Sequence, residues 1–464
     1  MTRTGTFWKP LLILIVVLIA LPGTLLAQQD AAPDLVTALE ADGRFTTLIT
    51  LIDAIELRPF LSGELTFTIF APTDEALGVL SPSVVEYLLA NPALLERILF
   101  YHLLASPYSL DEIFAETSLP TIEGGDVSIN ADIGRINGAD LTGQTIEAVN
   151  GVIYPIDSVM LPEIALPAVD AFINFDPILI SGSSTVAPLT ERMRDLFVLE
   201  GFSGNIVVEQ TGTNVGIERF CVNAETDIAN ASRPIRPAEV ERCLTNGRDP
   251  IGFFVAVDAL AVVVSRENDF LQNITLPDLA RVFTGAYTTW NEVDPSYPNE
   301  PIQVFSPGDD SGTFVYFTEA VIRDGLGVTA SEAQAAIIGA PNVRFSEDDN
   351  VLVAGVENSP FAIGYFGFAY YIANQDRLRV IDIEGVTPTE ATAENGEYRL
   401  SRPLFIYSSP NVMRSKPQVA EFISFYINGV RTQLGTEEGQ IGYFPVNRDV
   451  LNLDRLEWLL ATGR

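Results

Sequence analysis

The spacing of apolar positions divides the chain into three parts. Residues 11–21 are a nearly unbroken apolar run. From about Asp34 to Pro162 helical and strand periods follow each other irregularly. Leu35, Leu39, Phe45, Leu48, Leu51, Ile52 and Ile55 recur at helical spacing, and Leu65, Phe67 and Ile69 alternate as a strand does. Pro72 and Thr73-Asp74 stop that strand and cap the next helix, and Asn150-Gly151 marks a hairpin. A short linker follows, "ALPAVDAFINFDP". Beyond it one unit repeats: apolar strand, small polar turn, amphipathic helix. That alternation predicts an α/β layout with a largely parallel core sheet.

Three of these turns share a chemistry. In "ILISGSSTVAPLTERMRDLF" residues 178–180 read as a buried strand and 182–185 as the turn, with Ser184 suited to the N-cap. In "NIVVEQTGTNVGIERF" the turn is Thr211-Gly212-Thr213, and in "IQVFSPGDDSGTFVYF" it is 307–312. Each places Ser or Thr beside Gly at a helix start, where free N–H groups and the helix dipole favour an anion. One such turn usually caps a helix and nothing more. Three in one open sheet gather outside the carboxyl ends of the strands, where ligands bind. Arg233, in "DIANASRPI", adds a fork of donors suited to an oxyanion, with a surface or ion-paired Arg as the alternative.

Composition narrows the possibilities. The 464 residues suffice for two or three domains, and 47% hydrophobic content allows ordinary cores. Acidic residues outnumber basic ones 61 to 27, for a formal charge of −34. That argues against nucleic acid, since no basic stripe exists to neutralise phosphates. Arg3 and Lys9, the apolar run, and Ala27 before a polar QQD form an export signal, residues 1–27, with an uncleaved anchor as the alternative. Export puts Cys221 and Cys243 in an oxidising compartment, where a bridge would close a loop of about 22 residues. With one histidine, His102, a metal site is not expected, and no cofactor is. Catalysis is not expected either: G-x-S-x-G fails at Val186, and a triad would have to borrow His102 from the other block. The acidic stretch "SEDDN", 346–350, lacks EF-hand spacing.

The first block resembles the fasciclin domain. Thr68 to Leu77, "TIFAPTDEAL", the pair Tyr101-His102, and the closing "NGVIYPIDSVMLP" ending at Pro162 carry the likeness; Leu77 replaces the usual Phe and Tyr154 a common His. The resemblance implies an α+β module at 34–164, secreted or surface-exposed, with a matrix or polysaccharide ligand. Asp74, Tyr101 and His102 are read first as cap and core residues.

The second block resembles the phosphate-binding proteins of bacterial ABC importers. "GSSTV" at 182–186, "GTNVGIERFC" at 212–221, "DIANASRPI" at 227–235, "TTWN" at 288–291 and "PGDDSGTFVYF" at 307–317 carry this likeness. It implies a two-lobed periplasmic-binding-protein fold, type II-like, at 177–464 after a linker at 165–176. Lobe 1 would comprise 177–254 and 402–464, and lobe 2 255–401. The ligand positions of the family fall on Ser184, Thr185, Val186 (backbone), Thr213, Ser311, Gly312 and Thr313. Three departures stand out. Pro307 occupies a place where Arg is familiar, and Arg233 one where Asp is familiar, so Arg233 is expected to supply the cationic contact. Asn214-Val215 replaces a usual Gly pair. Asp310, then Asp309, would accept the proton that hydrogen phosphate carries and sulfate lacks, unless both merely cap the helix. The implied role is an exported receptor handing inorganic phosphate to an ABC permease, tethered by its fasciclin block. A surface adhesion or scaffold protein, or a receptor for another tetrahedral oxyanion, are the competing readings.

Overall fold

The computed structural model describes residues 32–168, 170, 172, 174–309, 311–346, 348–434 and 442–464. The export signal and Asp310 lie outside the described residues. Among the described residues no helix is long and apolar enough to cross a membrane.

In the N-terminal block the helical spacing becomes the helices Leu35–Asp42 and Thr46–Ala54. Thr73 caps its own helix by accepting from the Ala76 N–H. The Asp74 carboxylate reaches elsewhere. It accepts from the backbone N–H groups of Thr46 and Thr47 at 3.1 and 2.7 Å, placing negative charge at the start of the earlier helix. The strand Phe67–Pro72 pairs in parallel with Gly151–Ile156 inside a four-stranded sheet. Ala148 pairs with Gly151 across a tight hairpin, so the loop is Val149-Asn150 and Gly151 opens the strand. A Cβ at Gly151 would lie 2.1 Å from the Phe67 carbonyl oxygen. The Asn150 side chain accepts from Leu35 N–H and donates to Leu61 O, fastening the hairpin to two helices.

His102 is a core residue, 3% exposed. Its Nδ1 lies 2.8 Å from Ile98 O, and Met160 N–H donates to Nε2 at 3.0 Å, which assigns the proton to Nδ1. Burial pulls its pKa down to about 4, against an ordinary value near 6.5. The unfolded chain therefore binds a proton that the fold refuses. The contribution of His102 is complete above pH 6.5 and is lost as pH falls toward 4. Because the chain has a single histidine, one imidazole resonance reports the site. It is expected to titrate below pH 5 in the folded protein by proton NMR; a midpoint near 6.5 contradicts the buried neutral ring.

The C-terminal block is organised by one mixed sheet. Its strand order is 206–210, 178–182, 228–231, 401–408, 251–265, 362–367, 303–307, 343–346. The first three strands are mutually parallel, as are the last three. Parallel pairing thus holds within these two sets of three strands. The crossing strands Ile251–Ser265 and Ser401–Ser408 are antiparallel to each other, and each is antiparallel to its neighbour in the adjoining set. A chain that leaves on one strand and returns on its neighbour has to run in opposite directions. The disulfide Cys221–Cys243 joins the helices Thr213–Cys221 and Pro237–Thr245.

The last helix, Arg448–Thr462, belongs to both blocks. Leu451 and Trp458 enter the core of the C-terminal block, and Leu456 enters that of the N-terminal block. Asp449 accepts from Leu161 N–H at 3.0 Å and from the Asn137 amide at 2.7 Å, and Asn452 bonds Leu161 and Ile164. Burial raises the Asp449 carboxyl to about 7.

Candidate functional site

The turn after strand Ile178–Gly182 is fixed by close packing. A Cβ on Gly182 would sit 2.1 Å from Asn230 O, and one on Gly216 would sit 2.4 Å from the Gly182 Cα. Gly182 O accepts from the N–H groups of both Thr211 and Gly212. Only glycines let the second turn fold over the first this tightly. The helix then begins at Ala187, with Val186 at the N-cap and Pro188 in its first turn. Ser184 is therefore not the cap. Proline suits the first turn of a helix and sets the start there, leaving Ser184 exposed on the turn. Thr213 opens the next helix behind Gly212, and its hydroxyl lies 3.2 Å from both the Oγ and the N of Ser232.

From the other lobe comes the helix Gly312–Phe317. Ser311 caps it by accepting from Thr313 N–H at 3.2 Å. Gly312, Val315, Tyr316, Glu319 and Arg323 face the turns of the first lobe across a cleft of about 520 Å³. Ser184, Thr185, Thr213 and Arg233 line the same cleft. The structure thus brings these five expected positions together, counting Gly312. Val186 is buried behind the turn, while Ser311 and Thr313 flank Gly312 without lining the cleft. Asp309 is exposed and does not line it.

The cationic side of the cleft was not legible in the motifs. Arg233 is committed. It forks onto both oxygens of Glu239 at 2.8 and 2.9 Å, and donates to Asn214 Oδ1 and Pro234 O. All four terminal N–H bonds are used, leaving Nε. Asn214, where the family usually has Gly, orients this arginine. Arg236, Arg323 and Arg402 also line the cleft, against Glu319 as the one lining carboxylate among the described residues. Arg402 stands at the crossing strands, paired in register with Asp258. Its Nε and Nη2 both approach the same Asp258 oxygen at 2.9 Å, and its guanidinium carbon lies 3.9 Å from the Tyr316 ring centroid. Its Nη1 donors have no protein acceptor among the described residues. Burial raises the Tyr316 hydroxyl above the ordinary tyrosine range, so it is a neutral donor or acceptor at physiological pH. Tyr443 donates to Thr185 O at 2.7 Å and steadies the first turn.

A cleft between two hinged lobes, with hydroxyl turns on one wall and four arginines around it, is built to enclose a small anion. The sequence pattern of the PBP superfamily domain matches residues 157–429, more than half of the chain, and that of the fasciclin domain matches residues 43–162. The chain belongs to the PBP superfamily. Protein SphX of Synechocystis sp. is 37% identical over 295 residues, covering 61% of this chain and 82% of that protein. The phosphate-binding protein PstS of Staphylococcus saprophyticus is 32% identical over 251 residues, covering 53% and 74%. Among solved structures, a possible phosphate binding protein from Planctomyces limnophilus has 34% identity and a TM-score of 0.52, covering 61% of this chain and 97% of that one. The second block is a binding-protein domain of the phosphate-binding type, not an enzyme, and it follows a fasciclin domain. In the PBP domain the acidic stretch at 346–350 serves a helix: Asp348 accepts from Asn350 N–H at 2.9 Å and caps Asp349–Glu357, with Glu347 outside the described residues.

Proposed function

We propose that the protein is an exported receptor that captures inorganic phosphate between its lobes and delivers it to an ABC permease. The observation that carries this reading is the charge of the cleft. Among the described residues, a chain of formal charge −34 places four arginines and one glutamate around the hydroxyl turns. Such a site attracts a dianion locally, because the surface charge elsewhere is screened within about 8 Å at physiological salt. The names of the relatives support phosphate over other anions. Ser184, Thr185, Thr213 and Gly312 would bind its oxygens, with the Val186, Ser311 and Thr313 backbone nearby, and the arginines would neutralise it. A carboxylate of the Asp309-Asp310 pair would select the protonated anion, Asp310 first. The fasciclin domain would hold the receptor at the envelope or matrix.

Calorimetric titration of the whole exported chain near pH 7 tests the reading. Phosphate is expected to bind tightly and sulfate to give no heat, and Asp310→Asn is expected to narrow that difference at least tenfold. Absence of phosphate binding would move the protein to the adhesion or scaffold role.

A further inference from the structure

Two helices of the first lobe begin at the cleft and end at the disulfide. The helix Thr213–Cys221 opens with Thr213 and Asn214 in the cleft wall and closes with Cys221. The helix Pro237–Thr245 starts directly after Arg236, which also lines the cleft, and carries Cys243 in its last turn. At about 1.5 Å per residue the cysteines stand roughly 9–12 Å along these helices from the cleft. Both cysteines are buried and neither lines the cleft.

The near ends of the same helices are clasped by Arg233. It lies in the loop between the strand Ile228–Ala231 and the second helix. Its guanidinium joins Asn214, the second residue of one helix, to Glu239, the third residue of the other, at 2.6, 2.8 and 2.9 Å. The rest of that loop is fastened in the same manner. Glu239 accepts from Arg236 N–H at 2.8 Å, and the Thr213 hydroxyl accepts from Ser232 N–H at 3.2 Å. The Tyr407 hydroxyl, on a crossing strand, accepts from Ile235 N–H at 2.9 Å. Groups on both helices hold the loop 232–236, so its position depends on the spacing of those helices.

Packing between the two clasps is thin. The helices share a small core of their own, apart from the two large cores of the PBP domain. Ile217, Phe220 and Tyr407 are its large buried side chains, and they pack around the two sulfurs. So small a core resists sliding of one helix past the other only weakly, whereas a disulfide holds two Cα atoms within about 7 Å. The covalent loop that it closes spans 22 residues and contains the strand Ile228–Ala231 with Ser232, Arg233 and Arg236 of the cleft wall.

We propose that the Cys221–Cys243 disulfide is a positioning element of the anion site. By fixing the far ends of the two helices it keeps Thr213 and the loop 232–236 in place at their near ends, without touching the anion. Arg233 is then the second clasp of the same pair and not the cationic contact, which leaves that contact to the other arginines of the cleft. The proposal rests on the phosphate reading of the cleft for its ligand.

The test titrates the whole exported chain with inorganic phosphate by calorimetry, beside thermal melting and amide hydrogen exchange. The double variant Cys221→Ala, Cys243→Ala is expected to bind phosphate at least fivefold more weakly and to exchange faster at 232–236. Leu456→Ala lowers stability from the fasciclin core; it is expected to melt lower and to keep its phosphate affinity within twofold. A second measurement uses the native chain reduced by a water-soluble trialkylphosphine. The phosphine takes oxygen from water to become its oxide, and each sulfur gains a hydrogen. After removal of the phosphine two thiols are counted, affinity is expected to fall at least fivefold, and reoxidation in air is expected to restore it. Unchanged affinity in the double variant, or in the reduced chain with two thiols counted, overturns the proposal while the phosphate reading stands. So does a loss no larger than that of Leu456→Ala, or faster exchange confined to the cysteine ends with 232–236 as protected as before. A native chain that binds no phosphate overturns both.

Discussion

The double variant Arg402→Met, Asp258→Asn is expected to bind phosphate at least 100-fold more weakly than the native chain, about 2.7 kcal/mol. Arg402 is held between Asp258 and the Tyr316 ring, and its Nη1 donors have no protein acceptor among the described residues. A charge-assisted, largely desolvated contact of that kind is worth about 2–5 kcal/mol when truncated. The second substitution is necessary. Asp258 is 7% exposed, and removing Arg402 alone would strand its charge at a cost of about 3–5 kcal/mol in stability. Arg236→Gln is expected to lose only about tenfold, because that side chain is exposed and loosely held. Arg233→Met is expected to act mainly on folding: it strands Glu239, 5% exposed, whose carboxyl the Arg233 pair helps hold below its usual range. Calorimetry and thermal melting on the three variants separate these effects. Equal phosphate affinity in the double variant and the native chain would remove Arg402 from the site.

The difference between Arg233 and Arg402 shows what the sequence makes legible. The turns were readable because their chemistry is local: strand, Gly beside Ser or Thr, and helix lie within a dozen residues. Both domain types were readable for the same reason, since their motifs are contiguous. Arg402 meets Asp258 across 144 residues, through the register of two crossing strands, and no local pattern announces such a pair. Arg323 enters the cleft from a π-helical turn, Thr318–Arg323, that apolar spacing does not reveal. Glu239 was a different case. It lies six residues after Arg233 at the start of a helix, and that proximity was a signal that the arginine already had a partner. Ser184 fits a cap by residue type alone; Pro188 decides the matter by fixing where the helix begins.

The joining of the two domains was the least legible feature, and it carries the second large effect. A linker of a dozen residues suggests two independent bodies. The helix Arg448–Thr462 makes them one. Trp458 is fully buried in the PBP core and donates its indole N–H to Ala420 O at 2.8 Å, whereas Leu456, two residues away, is fully buried in the fasciclin core. Residues at this spacing point to different sides of a helix, so one element closes two cores at once. Trp458→Ala is expected to cost about 3–5 kcal/mol and Leu456→Ala about 2–5 kcal/mol. The coupling is the sharper expectation. If the shared helix links the cores, calorimetric melting shows one transition, and each substitution lowers that same transition although each touches a different core. A fragment covering 175–464 exposes Leu453, Leu456 and Leu460, which pack in the fasciclin core in the whole chain. It is expected to melt well below the whole chain and to aggregate at concentrations the whole chain tolerates. Two separate transitions, with Leu456→Ala shifting one and Trp458→Ala the other, would mean that the helix touches both domains without coupling them. In that case the fasciclin domain would be a passenger on the receptor. With one transition it is part of the body against which the second lobe closes, and any ligand that fixes the fasciclin domain also fixes the orientation of the cleft.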